Sequence, residues 1–181
     1  MNFVAAFVRV IDRINDVIGR AVAWLTLAMV LVAFAGVVLR YGFDLGWIWL
    51  QESYVWLNGV VFMLGAAYTL LHEGHVRVDL FYRDASPRFR AFVNLFGVLF
   101  LLIPMVGTVA YVSWPYVIQS WAQLEGSHKA GGLAGLFLLK SVLLGFSLLL
   151  GLQGLALAGR SLLQLVGRKG FEPEPAEGES V

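Results

Sequence analysis

The chain has 181 residues, 59% of them hydrophobic and 14% charged, with a mean hydropathy of +0.77. Soluble domains carry about 25% charged residues, so this composition leaves room for a membrane bundle with short loops and for no separate soluble domain. A net charge of +1 without a basic stripe excludes a nucleic-acid partner, and the lack of cysteine excludes disulfides, thiolate chemistry and Cys-ligated metals.

Four charge-free apolar runs follow one another, at 21–39, 53–71, 91–124 and 141–159; three are 19 residues long and one is 34. A hydrocarbon core about 30 Å thick takes about 20 helical residues to cross. Unpaired backbone amides are so costly in lipid that a span must be a helix or part of a closed barrel. The runs are continuous rather than alternating, which selects helices. The expected fold class is all-α: a polytopic membrane protein with four transmembrane helices plus short amphipathic interfacial helices. The spans fall at about 20–40, 47–71, 89–114 and 136–160, within one membrane domain over 1–170.

In chain order, residues 3–18 place Phe3, Phe7, Val10, Ile11, Ile14 and Ile18 on one helical face and Arg9, Asp12, Arg13, Asp16 and Arg20 on the other. That pattern fits a helix lying in the headgroup plane, and equally a plain extension of helix one. Ala33-Phe34-Ala35 also fits a signal cleavage site. An uncleaved first helix is the expectation, because the apolar run continues to Leu39. Trp47, Trp49, Tyr111, Trp114, Tyr116 and Trp121 cluster at one membrane boundary, where amphipathic rings prefer to sit. Trp24 and Trp56 fall inside their runs and are expected to pack in the core.

Ser86-Pro87 reads as an N-cap with proline at the first helical position. From there to Glu125 a continuous helix would be about 58 Å long, too long for one crossing. Pro104 is expected to kink it and Pro115 to break it, leaving a short interfacial helix over 116–124. Gly131-Gly132 marks a turn before helix four. Along that helix Ser147, Gly151, Gly154 and Ala158 make one small-residue face that admits a close helix neighbour, from this chain or another. The tail over 171–181, FEPEPAEGESV, is acidic and proline-rich and is expected to be disordered.

Ten Lys and Arg residues lie before span one, between spans two and three, and after span four; three (Arg40, Lys129, Lys140) lie on the opposite side. Both termini are therefore expected to be cytoplasmic. Arg40, Glu52 and Lys140 then sit near the outer surface, and Glu52 is expected to pair with Lys140 or Arg40, the alternative being three separate interfacial side chains. His72 and His75 lie a membrane thickness from His128 and three residues apart on one helix. Neither arrangement supplies opposed haem ligands, and no third ligand completes a metal site. No cofactor is expected, and no hydrolase, kinase or redox motif is present. The alternatives left open are a small homo-oligomeric channel or exporter, a membrane anchor of a redox complex, and a receptor-like interaction protein.

Nearly the whole chain, about 8–165, resembles the small membrane subunit of tripartite ATP-independent periplasmic (TRAP) transporters. The likeness rests on Arg40 in VVLRYGF, Glu52 in WLQESYVWL, Gly65-Ala66-Ala67, and HEGHVRVDLFY with His75 and Asp79. SWAQLEGSHKAGGL and LLKSVLLGFSLLLGLQGLA are similar to the family's final hairpin, particularly in the mannitol/chloroaromatic-like branch. Ala134 departs from the proline of many relatives and leaves the entry to helix four less defined. The resemblance implies a non-enzymatic subunit in the bacterial inner membrane that braces a large TRAP permease and helps dock a periplasmic substrate-binding protein for sodium-coupled uptake of an organic acid. It further implies that Arg40, Glu52, Glu125, Ser127 and Lys140 organise the periplasmic face, while His75, Arg77 and Asp79 fix the cytoplasmic loop. Membrane lipids complete the expected partners.

Overall fold

The structure is a computed structural model that describes residues 2–75 and 85–167. Among them only helices form: α1 (Asn2–Phe43), α2 (Ile48–Leu71), α3 (Pro87–Gly97), α4 (Ile103–Ala122) and α5 (Leu136–Leu165), with a π-helical turn (Val98–Leu102) joining α3 to α4. Because α3, the π turn and α4 run on as one rod, Pro87–Ala122, there are four helices long and apolar enough to cross a membrane.

The spacing of charges along α1 and along α5 matches one membrane crossing on each helix. Arg20 and Arg40 on α1 are twenty residues apart, as are Lys140 and Arg160 on α5. At 1.5 Å per residue each interval is about 30 Å, the thickness of the hydrocarbon core. The helices themselves are longer than that interval, so their ends stand in the headgroups or beyond.

The layout is asymmetric. α5 touches every other helix, α1 and α2 pack on one another and on α5, and the α3–α4 rod touches α5 alone. Accordingly 39% of the apolar window of α5 is buried, against 6–11% in the other three spans. α5 is thus the central staff, and the outer helices leave most of their apolar surface facing outward, as lipid permits and water does not. Trp24 is part of that surface at 73% exposed, contrary to the core role expected for it.

Residues 3–18 form the plain extension of helix one, one of the two readings that the sequence left open, while the separate interfacial helix expected over 116–124 is absorbed into α4. α1 is continuous through residues 3–18, and it buries only one edge of the apolar face, Ile11 with Phe7 packed beside it. Ala5, Val8, Ile11, Asn15 and Val22 point inward, while Phe3, Val10 and Ile14 point out. At the other interface α4 continues through Pro115 to Ala122, so no break and no separate 116–124 helix occurs. Proline is tolerated inside membrane helices where neighbours hold the helix straight. Pro104 has a clearer local effect. Its missing N–H deprives the Phe100 carbonyl of its α-helical donor, and the π turn immediately before it carries the Ile103 N–H back five residues to the Val98 carbonyl.

Helix entries follow sequence chemistry. The Ser86 hydroxyl accepts from the Phe89 N–H at 3.3 Å with Pro87 at the first turn, as the sequence predicts. α5 starts without a side-chain cap. Gly135, at φ 105, makes the turn into it, which supplies the entry that Ala134 leaves undefined.

Candidate functional site

The polar contacts between helices form two clusters, one around the 123–135 loop and one between α1 and the second half of α5. At the end bearing the 123–135 loop, Glu52 enters from the second turn of α2 and is buried. Its carboxylate accepts from the Ser127 hydroxyl at 2.5 Å and from the Leu133 N–H at 2.8 Å. One acidic side chain thereby holds both sides of the loop to α2, across 75 and 81 residues of sequence. The loop closes on itself through Ser127 N–H to the Leu133 carbonyl at 2.9 Å and Gly132 N–H to the Lys129 carbonyl at 3.0 Å. Gly131 turns the chain at φ 77. Gly132 is fixed by space instead, since a Cβ there would lie 2.5 Å from Ser127 Oγ and 2.6 Å from Glu52 Oε2. With Glu52, Ser127 and Gly132 interlocked, the exposed tip is His128, Lys129, Ala130 and Gly131.

The expected Glu52–Lys140 or Glu52–Arg40 pair does not form. Lys140 instead pairs with Glu125, and its ammonium lies 3.8 Å from the centroid of the Tyr116 ring. Glu125 also has His128 at 3.3 Å. The physical reason is reach: the loop folds back over the start of α5 (Phe137 N–H to the Glu125 carbonyl, 3.4 Å), bringing Glu125 over Lys140. Beside the pair, Trp121 donates from Nε1 to Ser141 Oγ at 2.8 Å and meets the Phe137 ring edge-on at 4.6 Å.

The hydrogen bond from Lys140 holds the Glu125 carboxyl below the ordinary glutamate range, reinforced by the charges of Lys140 and His128. A carboxylate with a lowered folded-state pKa contributes stability above its unfolded value and loses it as pH falls through the folded value. The expected result is a thermal midpoint that drops from about pH 4.3 downward, with a shallower acid limb in Glu125→Gln. Identical acid limbs in detergent-solubilised wild type and variant would assign no role to this carboxylate.

Towards the opposite end a second polar cluster joins α1 to α5. Asn15 Nδ2 donates to Gln153 Oε1 at 2.6 Å, Gln153 Nε2 donates to Asp12 Oδ1 at 2.9 Å, and Arg160 donates to Asp12 Oδ2 at 2.7 Å. Asn15 and Gln153 are 2% and 1% exposed. Next to them Asp16 lies 2.9 Å from Arg20 and 3.4 Å from His72, whose ring stands 4.3 Å from that of Tyr68. Sequence reading put Asp12 and Asp16 on a solvated face and missed this cluster. Its signal was Gln153, a lone amide in an otherwise apolar run, which is expensive without a partner.

The remaining expected residues are scattered. His75 is exposed just after α2, and His72 makes the contacts at that end. Arg77 and Asp79 lie outside the described residues, as does the 171–181 tail. The small face of α5 receives this chain's own rod: Ser147, Gly154 and Ala158 are buried, a Cβ at Gly154 would lie 2.5 Å from Leu102 in the π turn, and one at Gly151 would lie 3.4 Å from Val106. Ser147 returns its hydroxyl to the Leu143 carbonyl at 3.0 Å. Arg40 is exposed beside a cleft between α1 and α2.

No match is found among curated proteins or solved structures. Residues 29–165 match the family described as "Tripartite ATP-independent periplasmic transporters, DctQ component". That match covers all of α2 to α5 and most of the membrane part of α1, which is well over half of the chain. A four-span bundle with these two polar clusters and this family match together make the chain a member of the DctQ family, the small membrane component of TRAP transporters.

Proposed function

We propose that this subunit is the immobile brace of a sodium-coupled transporter for an organic acid, of the mannitol/chloroaromatic-like branch, in the bacterial inner membrane with both termini cytoplasmic. It holds the large permease subunit along its outward apolar faces and offers the 123–135 loop to the periplasmic binding protein. Arg40, Glu52, Glu125, Ser127 and Lys140 shape that periplasmic surface, and His75, Arg77 and Asp79 fix the cytoplasmic loop.

The observation that carries this reading is where buried polarity lies. Among the described residues the buried polar side chains are Asn15, Glu52, Ser120, Ser147, Gln153 and Ser161. Glu52 and Ser120 belong to the loop end and Ser161 to the other; Gln153, bonded to Asn15 and Asp12, lies about as far from the middle of α5 as Ser147 does. Near mid-depth stands Ser147, its hydroxyl turned back onto its own helix. A solute path needs accessible polar groups or broken helices at the midplane; here Ser147 bonds its own helix and Gln153 is locked to Asn15 and Asp12. Instead the rod presents a stripe of exposed phenylalanines, Phe89, Phe92, Phe96 and Phe100, the last two stacked at 4.7 Å. Such a rigid apolar face suits lateral contact with another membrane subunit.

The test is reconstitution. Tagged protein extracted in mild detergent should bring down a larger polytopic subunit. Proteoliposomes holding both, with the binding protein added, should accumulate a carboxylate on an inward sodium gradient, and vesicles with this chain alone should not. Uptake by the chain alone would overturn the proposal.

A further inference from the structure

At the loop end α1 and α2 enclose a cleft of about 290 Å³, lined among others by Gly36, Val37, Arg40, Trp47, Leu50 and Tyr54. Its lining is graded. Towards mid-membrane it is apolar and roomy at Gly36, where the nearest atom to a Cβ would be Leu50 Cδ2 at 3.6 Å. Towards the surface it carries Arg40 and Trp47, while Gln51 and, one turn deeper, Tyr54 add polar groups on the α2 wall. Among the described residues Arg40 has no ion-pair or hydrogen-bond partner. Asp44, one turn further on, sits in a left-handed turn at φ 57 and does not reach it.

Depth defines what such a cation meets. Arg40 closes the charge-free run of α1 that begins after Arg20, about 30 Å away along the helix, and Trp47, a residue type that settles where hydrocarbon gives way to headgroups, lines the same cleft. A guanidinium there faces lipid phosphates, which it binds through paired, charge-assisted hydrogen bonds. The apolar part of the cleft lies one to two turns deeper, where an acyl chain attached to that phosphate must run. We propose that this cleft is a phospholipid site: Arg40 holds the headgroup phosphate and one acyl chain packs along Gly36, Val37 and Leu50. The inference rests on membrane embedding and not on the transport role, so either can fail without the other.

Native mass spectrometry of the full-length protein, delipidated and titrated with dioleoylphosphatidylglycerol, tests it. One saturable adduct is expected. Arg40→Gln should weaken that adduct about tenfold, the loss of one charge-assisted contact, and Arg40→Lys should restore part of it. Gly36→Leu, which fills the cleft and leaves the charge, should weaken it comparably. Dioleoylglycerol should bind at least about tenfold more weakly, and millimolar inorganic phosphate should not compete. Unchanged lipid binding in both Arg40→Gln and Gly36→Leu would overturn the proposal. So would full competition by inorganic phosphate, which would mean an anion site without a chain. Loss of large-subunit capture in Arg40→Gln with lipid binding intact would make the cleft a subunit contact and likewise overturn it. Thermal midpoints close to wild type establish that the variants are folded.

Discussion

Gly19→Ala is expected to unseat α1 from α2. A Cβ at Gly19 would fall on the Tyr68 side chain, overlapping Cγ and Cδ2 and lying 2.5 Å from its Cβ. The obstruction sits at the root of the tyrosine, so rotating the ring does not clear it, and the two backbones must separate. Tyr68 in turn packs on His72, which faces Asp16 one turn before Gly19. The disturbance therefore reaches the polar contacts at that end. Overpacking of a close helix crossing costs about 1–3 kcal/mol, occasionally more, and the lack of any rotamer escape puts this site at about 3 kcal/mol. Gly65, on the same α2 but with nothing within 4 Å of a Cβ, supplies the control: Gly65→Ala should leave stability unchanged or slightly raised, because alanine is the better helix former. Unfolding in mixed micelles measures both. Equal behaviour of the two variants would mean that α1 and α2 do not cross at Gly19.

The contrast between those glycines was not readable from sequence, and the reason is instructive. Spans and caps were legible because they depend on local chemistry: four charge-free runs give four helices, Ser86-Pro87 starts α3, and Gly131-Gly132 turns the loop. Which side of a helix faces inward depends instead on what lies outside it. The apolar and charged faces of residues 3–18 fitted a helix in the headgroup plane and equally an extension of helix one, and neither reading says which of these residues meet α5. In the structure Ile11 is buried, Phe3, Val10 and Ile14 face outward, and Asp12 turns to α5. Apolar side chains lose little by facing outward, and the polar ones, Asp12 and Asn15, must find partners within the protein. The same reasoning covers Pro115, whose power to end a helix is weaker in a membrane than in water. At the loop end the acidic residues were identified but not their partners. Glu52 and Glu125 both lie near Lys140 in depth, and the backbone path of the loop decides between them. The small-residue face of α5 was legible as a contact surface, while its occupant, the π turn, required the fold.

The inward polar cluster supplies the second large effect. Gln153→Leu should cost about 2–4 kcal/mol, because it orphans two groups at once, Asn15 Nδ2 and Asp12 Oδ1, and each buried group left without a partner costs about 1–3 kcal/mol. Asn15→Leu should cost less, since it leaves Gln153 still donating to Asp12 and also removes Asn15 Oδ1, which is buried without a hydrogen bond. The double variant should then be less destabilised than the two single variants added together, by about 1 kcal/mol or more. Once Gln153 is gone, replacing Asn15 removes an orphan instead of creating one. Asp12 would retain Arg160 in every case, which keeps the helix ends in register and the variants folded enough to measure. Isolated hydrogen bonds between membrane helices contribute only about 0.6 kcal/mol on average, because the unfolded state finds substitutes. A measured coupling well above that value would identify the chain of contacts from Asn15 through Gln153 and Asp12 to Arg160 as one cooperative lock between α1 and α5. Strictly additive losses would show that the two amides act separately and that α1 is held there by Val8 and Ile11 against Ala156.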